Sequence, residues 1–211
     1  MNWLIDSILS WSFFWVVYYV ISLFFDYKIK SINQVTWDDL LHTVSRNMYL
    51  TSLFQPIFFY IIPYGILNPQ YTVYRFIISA IVAEIIFFYT HKLLHCKSLY
   101  KYHEKHHRFI EPCALSALYC SGLEAIFSNH LSIVVGPLIT GMQITEIMIW
   151  FGLCALNTLK AHSGFNRNYF NSRYHDLHHS KRSVNFGFLY LLDIFHGTCE
   201  LPQKNERIIQ R

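Results

Sequence analysis

Long apolar runs separated by short polar segments set the plan of this chain. Residues 8–25, 48–67 and 72–90 each approach the ~20 apolar residues that carry a helix across a hydrocarbon core. A fourth run, 125–159, is longer and is broken near its middle by Gly136, Pro137 and Gly141, so it reads as a helical hairpin of two spans. Its arms are short, and a re-entrant pair that penetrates only partway also fits. The first run lacks a basic leader and a small-residue cleavage site followed by a polar mature chain, so it reads as a retained span.

Composition agrees with that pattern. The 211 residues are 53% hydrophobic and 18% aromatic, with only 14% charged, and too few polar segments remain to cover so much apolar surface as buried soluble helices. Positive charge falls between the first two runs (Lys28, Lys30, Arg46) and after the third (Lys92, Lys97, Lys101, Lys105, Arg108), while the loop at 68–71 has none. The positive-inside rule then places the charged loops in the cytosol and the N-terminal end across the bilayer. Five cysteines without a C-x-x-C pair imply neither a disulfide framework nor a zinc ribbon. The formal charge of +4 suits anionic headgroups or an acidic electron donor, and equally plain topology-setting charge. No phosphate-binding glycine loop or nucleotide pattern is visible, so electrons for any redox chemistry must come from a partner. No nucleic-acid partner is expected.

The polar segments carry the chemistry. Nine of the twelve histidines form a spaced series: His91 and His95 (H-x-x-x-H), His103, His106 and His107 (H-x-x-H-H), His162 alone, then His175, His178 and His179 (H-x-x-H-H). Neutral imidazole is a common metal ligand, and nine exceed the roughly six positions of one first-row ion, so two ions are the natural reading. On a helix, positions three and four apart share a face while adjacent ones diverge by about 100°. One triplet can therefore serve two ions. The first two motifs follow the third span and the last follows the hairpin, so an even number of crossings separates them and all nine emerge on one face. Structural zinc sites close with about four ligands, too few to use nine candidates, whereas imidazole also suits iron, and a redox pair of ions can activate O2 toward an unactivated C–H bond. A substrate reaching such a site from the bilayer is a lipid.

At these residues the chain resembles the fatty acid hydroxylase and sterol desaturase superfamily of membrane di-iron oxygenases. The resemblance runs from about Glu84 to Thr198: Glu84 with Phe88 and Tyr89 leading into HKLLH, then HEKHH, AHSGF at 161–165, YHDLHH at 174–179, NFG at 185–187, and Asp193 with Gly197 and Thr198. The tract AHSGF, RYHDLHH and NFG is most similar to the C4-methylsterol oxidases. That likeness implies O2-dependent oxidation of a sterol 4-methyl group, with electrons from NAD(P)H through cytochrome b5 and its reductase, usually at the endoplasmic reticulum. The rivals within the superfamily are fatty acyl or sphingolipid hydroxylation and sterol C5 desaturation; a rival of another class is a membrane protein that binds metal or lipid without turnover.

Departures from the pattern bear on the substrate more than on the ligand series. Similar chains carry a His-Pro pair followed by an acid where this one reads Tyr119-Cys120-Ser121-Gly122-Leu123-Glu124, and Leu192 replaces an aromatic before the late Asp. His130, inside the fourth run, is either a compensating group or an ordinary hydrogen-bonded bundle histidine. Glu84, seven residues before His91, can orient a ligand imidazole. Asp176 reads as a ligand partner or a surface residue, and Asn185 and Asp193 as groups that fix the last helix under the site. The expected architecture is an all-α integral membrane protein, one domain over 1–211, of four to five transmembrane or re-entrant helices. Residues 1–75 carry the N-terminal spans, and 76–200 the catalytic region with a cytosolic, His-rich dimetal cap. The expected ligands are His91, His95, His103, His106, His107, His162, His175, His178 and His179, holding two irons or, as a substitute, zinc.

Overall fold

The computed structural model describes residues 2–26, 35–64, 68–163 and 170–201; Lys28 and Lys30, positions 65–67 and Gly164-Phe165 of the AHSGF tract lie outside them. Among the described residues the chain is helical, without strands. Four helical rods are long and apolar enough to cross a membrane: α1 (Trp3–Asp26), α4 (Pro69–Leu94), the rod Gly122–Thr140, and α7 (Ile144–His162). The rod is built from α5 (Gly122–Glu124), a π-helical segment (Ala125–His130) and α6 (Leu131–Thr140).

The second run is not one helix. It is divided between α2 (Trp37–Ser52) and α3 (Gln55–Ile61), with the break at Leu53 and Phe54 and Pro56 in the first turn of α3. Pro56 lacks the N–H that a continuous helix would need there, so the run restarts instead of continuing. The pair nevertheless runs antiparallel to α1: Ser45 bonds Tyr19 near one end, Trp11 Nε1 donates to the Met48 carbonyl midway, and Tyr60 packs edge-on to Trp3 at the other end. The N-terminal half of α2 is polar, capped by Thr36 with Asp38 and Asp39 in its first turn, and it belongs to the cap.

The fourth run is the expected hairpin of two spans, with arms long enough to exclude the partial, re-entrant option. Its arms are 19 residues each, roughly 28 Å at 1.5 Å per residue, so both match a hydrocarbon core. The break falls at Gly141, left-handed at φ 65°, and Gln143 with Glu146 then forms a capping box on α7. Pro137 stays inside α6. The carbonyl it leaves without a helical partner, that of Ile133, accepts from Trp150 Nε1 at 2.8 Å, so α7 restores what proline removes.

In lipid, helices associate by close packing and interhelical hydrogen bonds, not by hydrophobic drive. Gly136 of α6 lies so close to α4 that a Cβ would come within 2.6 Å of the Ser79 Cα. Phe14 of α1 meets Phe151 of α7 edge-on, and the buried Tyr18 hydroxyl donates to the Leu115 carbonyl. A buried Arg75–Glu146 pair at 3.0 Å joins α4 to the start of α7, at the end opposite the histidines.

The cap closes the other end. It comprises the 3-10 turns Tyr100–Tyr102, His106–Arg108 and Ala114–Leu118, then α8 (Phe170–Lys181) and α9 (Leu191–Phe195). Lys105 reaches Thr43 and Asp39, Asn47 donates to the carbonyls of Leu118 and Cys120, and Tyr119 donates to Asp39, which stitches α2 to the cap.

Candidate metal centre

The nine spaced histidines meet at the cap end in two groups. His91, His95, His103, His107 and His178 form one; His106, His162, His175 and His179 form the other. Within each group the potential ligand atoms all lie within 4.8 Å of one another. The triplets are shared between the groups, each placing its i and i+4 members together. His103 and His107, four apart, join one group while His106 joins the other; His175 and His179, four apart, join the second while His178 crosses to the first. Only the second triplet sits on a regular helix, α8. The first lies on a single mixed turn, with His106 N–H and His107 N–H both reaching the His103 carbonyl, because the segment between α4 and α5 holds only short 3-10 turns.

The ring nitrogens have a consistent direction. Nδ1 of His91, His178 and His179 each donates at 2.7 Å to a backbone carbonyl, those of Phe186, Val184 and Phe109, and Nδ1 of His162 donates to Thr158 at 2.8 Å. A proton held on Nδ1 leaves the lone pair on Nε2. The Nε2 atoms are the ones that converge: His91 to His103 at 3.1 Å, His103 to His95 at 3.0 Å, His95 to His178 at 3.2 Å, and in the second group His175 to His162 at 3.0 Å and to His179 at 3.1 Å. Facing lone pairs repel unless a cation lies between them. Burial, reinforced by neighbouring imidazoles, also resists protonation: His95 is held down to about 3, and His103, His106, His107, His175, His178 and His179 are all pushed well below the usual histidine value. Neutral imidazoles with convergent Nε2 atoms are the donor set a pair of first-row ions requires, so the residues fit the metals.

Groups behind the rings hold them in place. The Glu124 carboxylate lies 3.0 Å from His103 Nδ1, both buried. Glu84 does not touch an imidazole: its Oε2 accepts from the backbone N–H groups of Phe188 and Leu189, and so anchors the loop whose Phe186 carbonyl holds His91. Asp193 grips the same loop through Phe186 N–H, Gly187 N–H and the Thr198 hydroxyl. Between these carboxylates a Cβ on Gly187 would fall 2.5 Å from Glu84 Oε1, so the NFG tract needs its glycine. Asn185, at φ 59°, bonds Tyr174 and both backbone groups of Glu200, fixing the tail beneath α8. Asp176 is buried, not on the surface.

A cavity of about 300 Å³ opens beside the four-histidine group, bordered by its His162 and His175. It runs between α1, α4, the α6 rod and α7, and its walls include Trp11, Phe14, Phe87 and Trp150. Imidazoles that can hold two ions thus stand at the head of an apolar chamber inside the helix bundle. The fatty acid hydroxylase model matches residues 76–198, which contain every one of the nine histidines and most of the chain.

The chain belongs to the fatty acid hydroxylase family. It is similar to human fatty acid hydroxylase domain-containing protein 2, 37% identical over 57% of this chain and 37% of that protein. It is also similar to very-long-chain aldehyde decarbonylase GL1-11 of Oryza sativa subsp. indica, 30% identical over 89% of this chain and 79% of the relative. Methylsterol monooxygenase 2-2 of Arabidopsis thaliana is 32% identical over 54% and 48%. The match spans little more than a third of the human relative's length. No solved structure matches the chain. Members of the family are membrane oxygen-dependent oxidoreductases, which accords with the four apolar rods and the imidazole groups.

One contributor was not singled out from the sequence. Glu124 was visible only as the acid of the tract that lacks His-Pro, 21 positions from the histidine it faces. Ser121, the departure in that tract, caps the first turn by accepting from the Glu124 N–H, and so helps place that carboxylate. His130 joins neither histidine group; it lines the cavity, with its ring edge-on to Trp11 at 5.6 Å.

Proposed function

We propose that this chain is a two-metal membrane oxygenase that oxidises a C–H bond of a lipid, with a 4-methylsterol as its preferred substrate. The observation that carries the reading is the apolar cavity that ends on His162 and His175, two members of the four-imidazole group. All nine histidines serve as ligands in this reading, five to one ion and four to the other. When bound, a pair of irons supplies the O2 activation that no side chain provides. The protein's share is to fix the Nε2 atoms, exclude water, and hold a substrate carbon against the four-histidine side so that oxidation is effectively intramolecular. The cavity is at the small end for ligand pockets, so it takes the reacting end of a lipid and leaves the rest to the bilayer. Electrons come from NAD(P)H through cytochrome b5 and its reductase, docking on a basic cap that faces the cytosol at the endoplasmic reticulum.

The likeness to the rice aldehyde decarbonylase across most of the chain favours a second reading, a flexible acyl substrate in the same chamber. One assay separates the two. In cells lacking their own C4-methylsterol oxidase but retaining cytochrome b5 and its reductase, the chain should consume accumulated 4-methylsterols, and His106→Ala should not. Untouched sterols with new oxidised acyl lipids, sphingolipids or C5-desaturated sterols would keep the family chemistry and replace the substrate. Two bound irons with no change in any lipid, persisting in Ser121→His, would favour a metal- or lipid-binding protein without turnover.

A further inference from the structure

Most polar side chains that border the cavity have an identifiable task. Asn47 donates to the Leu118 and Cys120 carbonyls, Thr51 to Asn47 and Met48, and Ser132 to Asn129. His130 does not follow them. It is 6% exposed, it borders the cavity, and its Nδ1 is buried with no hydrogen-bond partner. An ionisable ring inside a membrane span is expensive, and a buried nitrogen left unpaired costs more than it would in water. Packing explains the ring, which lies edge-on to Trp11, but not the buried Nδ1. A phenylalanine would pack as well without the penalty.

We infer that His130 is a substrate-recognition residue, donating to or accepting from an oxygen of the lipid, a hydroxyl or a carbonyl, while the cavity walls hold the hydrocarbon. It closes the π-helical segment, and such segments often re-aim side chains at functional positions. Its depth also constrains the ligand. His130 follows Glu124, the partner of His103, by roughly one and a half helical turns. Two residues before it, Ser128 bonds Thr90, the neighbour of His91. The oxygen held by His130 is therefore placed toward the histidine end of the bundle, not at the far end of the molecule. The inference deepens the lipid-oxygenase reading and rests on it for the carbon that reacts; recognition of the oxygen is measured apart from turnover.

The test is a set of binding titrations on purified full-length protein in nanodiscs, read by fluorescence of the cavity-lining Trp11 and Trp150. The probes are two pairs: 4-methylcholestanol with its 3-deoxy analogue, and octadecanal with octadecane. Wild type should bind the oxygenated member of at least one pair roughly tenfold or more tightly, because a site built to pair an oxygen rejects the analogue that lacks it. His130→Leu should reduce that gap below about twofold with metal content unchanged. His130→Phe repeats the test with the ring against Trp11 retained, and His130→Gln should restore part of the gap. Equal affinity within both pairs in wild type, or a gap that survives in His130→Leu or His130→Phe, overturns the assignment. Discrimination confined to the aldehyde pair removes the sterol preference and keeps His130; discrimination without turnover in any lipid assay removes the oxygenase reading alone.

Discussion

The two histidine groups are built from the same motifs yet are not equivalent. The five-membered group is backed by an aromatic and an acid, with His95 partly exposed: Phe186 packs against His91, His95 and His178, and Glu124 backs His103. The four-membered group borders the cavity through His162 and His175. On an ion with roughly six positions, five imidazoles leave about one site and four leave about two. More of the open positions would therefore lie on the side where a lipid would enter. In the proposed reading, the same ligand chemistry would divide into an ion that is held and an ion that faces the substrate.

The largest effect should come from attacking that asymmetry directly. His179→Ala leaves three imidazoles and should empty the cavity-side position, lowering activity by more than the roughly 100-fold expected for groups behind the ligands. His95→Ala leaves four and should retain most of its ion. Iron analysis on the two variants decides it; equal loss from both would show that the groups act as one. A pH series on chelated protein comes next. Burial holds these histidines neutral when folded, whereas the unfolded chain takes up protons below about pH 6.5. Stability of the metal-free protein is thus complete above that value and is lost as pH falls, each such histidine contributing up to about 1.4 kcal/mol per unit until its folded value is reached, about 3 for His95. A melting temperature flat from pH 7.5 to 5 would contradict it.

Glu124→Gln sharpens the comparison from the other side. It keeps the shape but exchanges the carboxyl group facing His103 Nδ1 for an amide, and should weaken iron at the five-histidine position about 10–100-fold while sparing the other, as read by chelator competition. Equal weakening at both would mean that Glu124 supports the cap generally. The smallest effect should follow Gly187→Ala, whose methyl must push Glu84 or the loop aside, at a cost on the order of 1 kcal/mol in melting experiments. Its activity loss should track His91, because the Phe186 carbonyl moves with the loop.

Much of this was legible in the sequence, and the exceptions share a cause. Three of the four apolar runs and the division of the second triplet follow from side-chain type and helical spacing alone; the first triplet divides in the same way on a mixed turn. The restart at Leu53 and Phe54 was hidden because the apolar run continues through Pro56 without a polar marker. Pro137 looked like a break and is not one, since Trp150 supplies the missing partner from another helix. Glu84 was expected behind an imidazole because both were treated as side chains on one face; it instead binds main-chain N–H groups about a hundred residues away, which carry no signature in the sequence. Glu124 and His103 meet across a chain reversal, so no local spacing connects them.

Four imidazoles are aligned by carbonyls of Phe109, Thr158, Val184 and Phe186, and a carbonyl belongs to whatever residue stands at that place. Side chains at 109, 158 and 184 can therefore change over evolutionary time without releasing the rings, provided that the chain keeps its path. Mutational tolerance around this centre should be governed by insertions, deletions and prolines that bend the backbone, more than by the identity of the residues that surround the histidines.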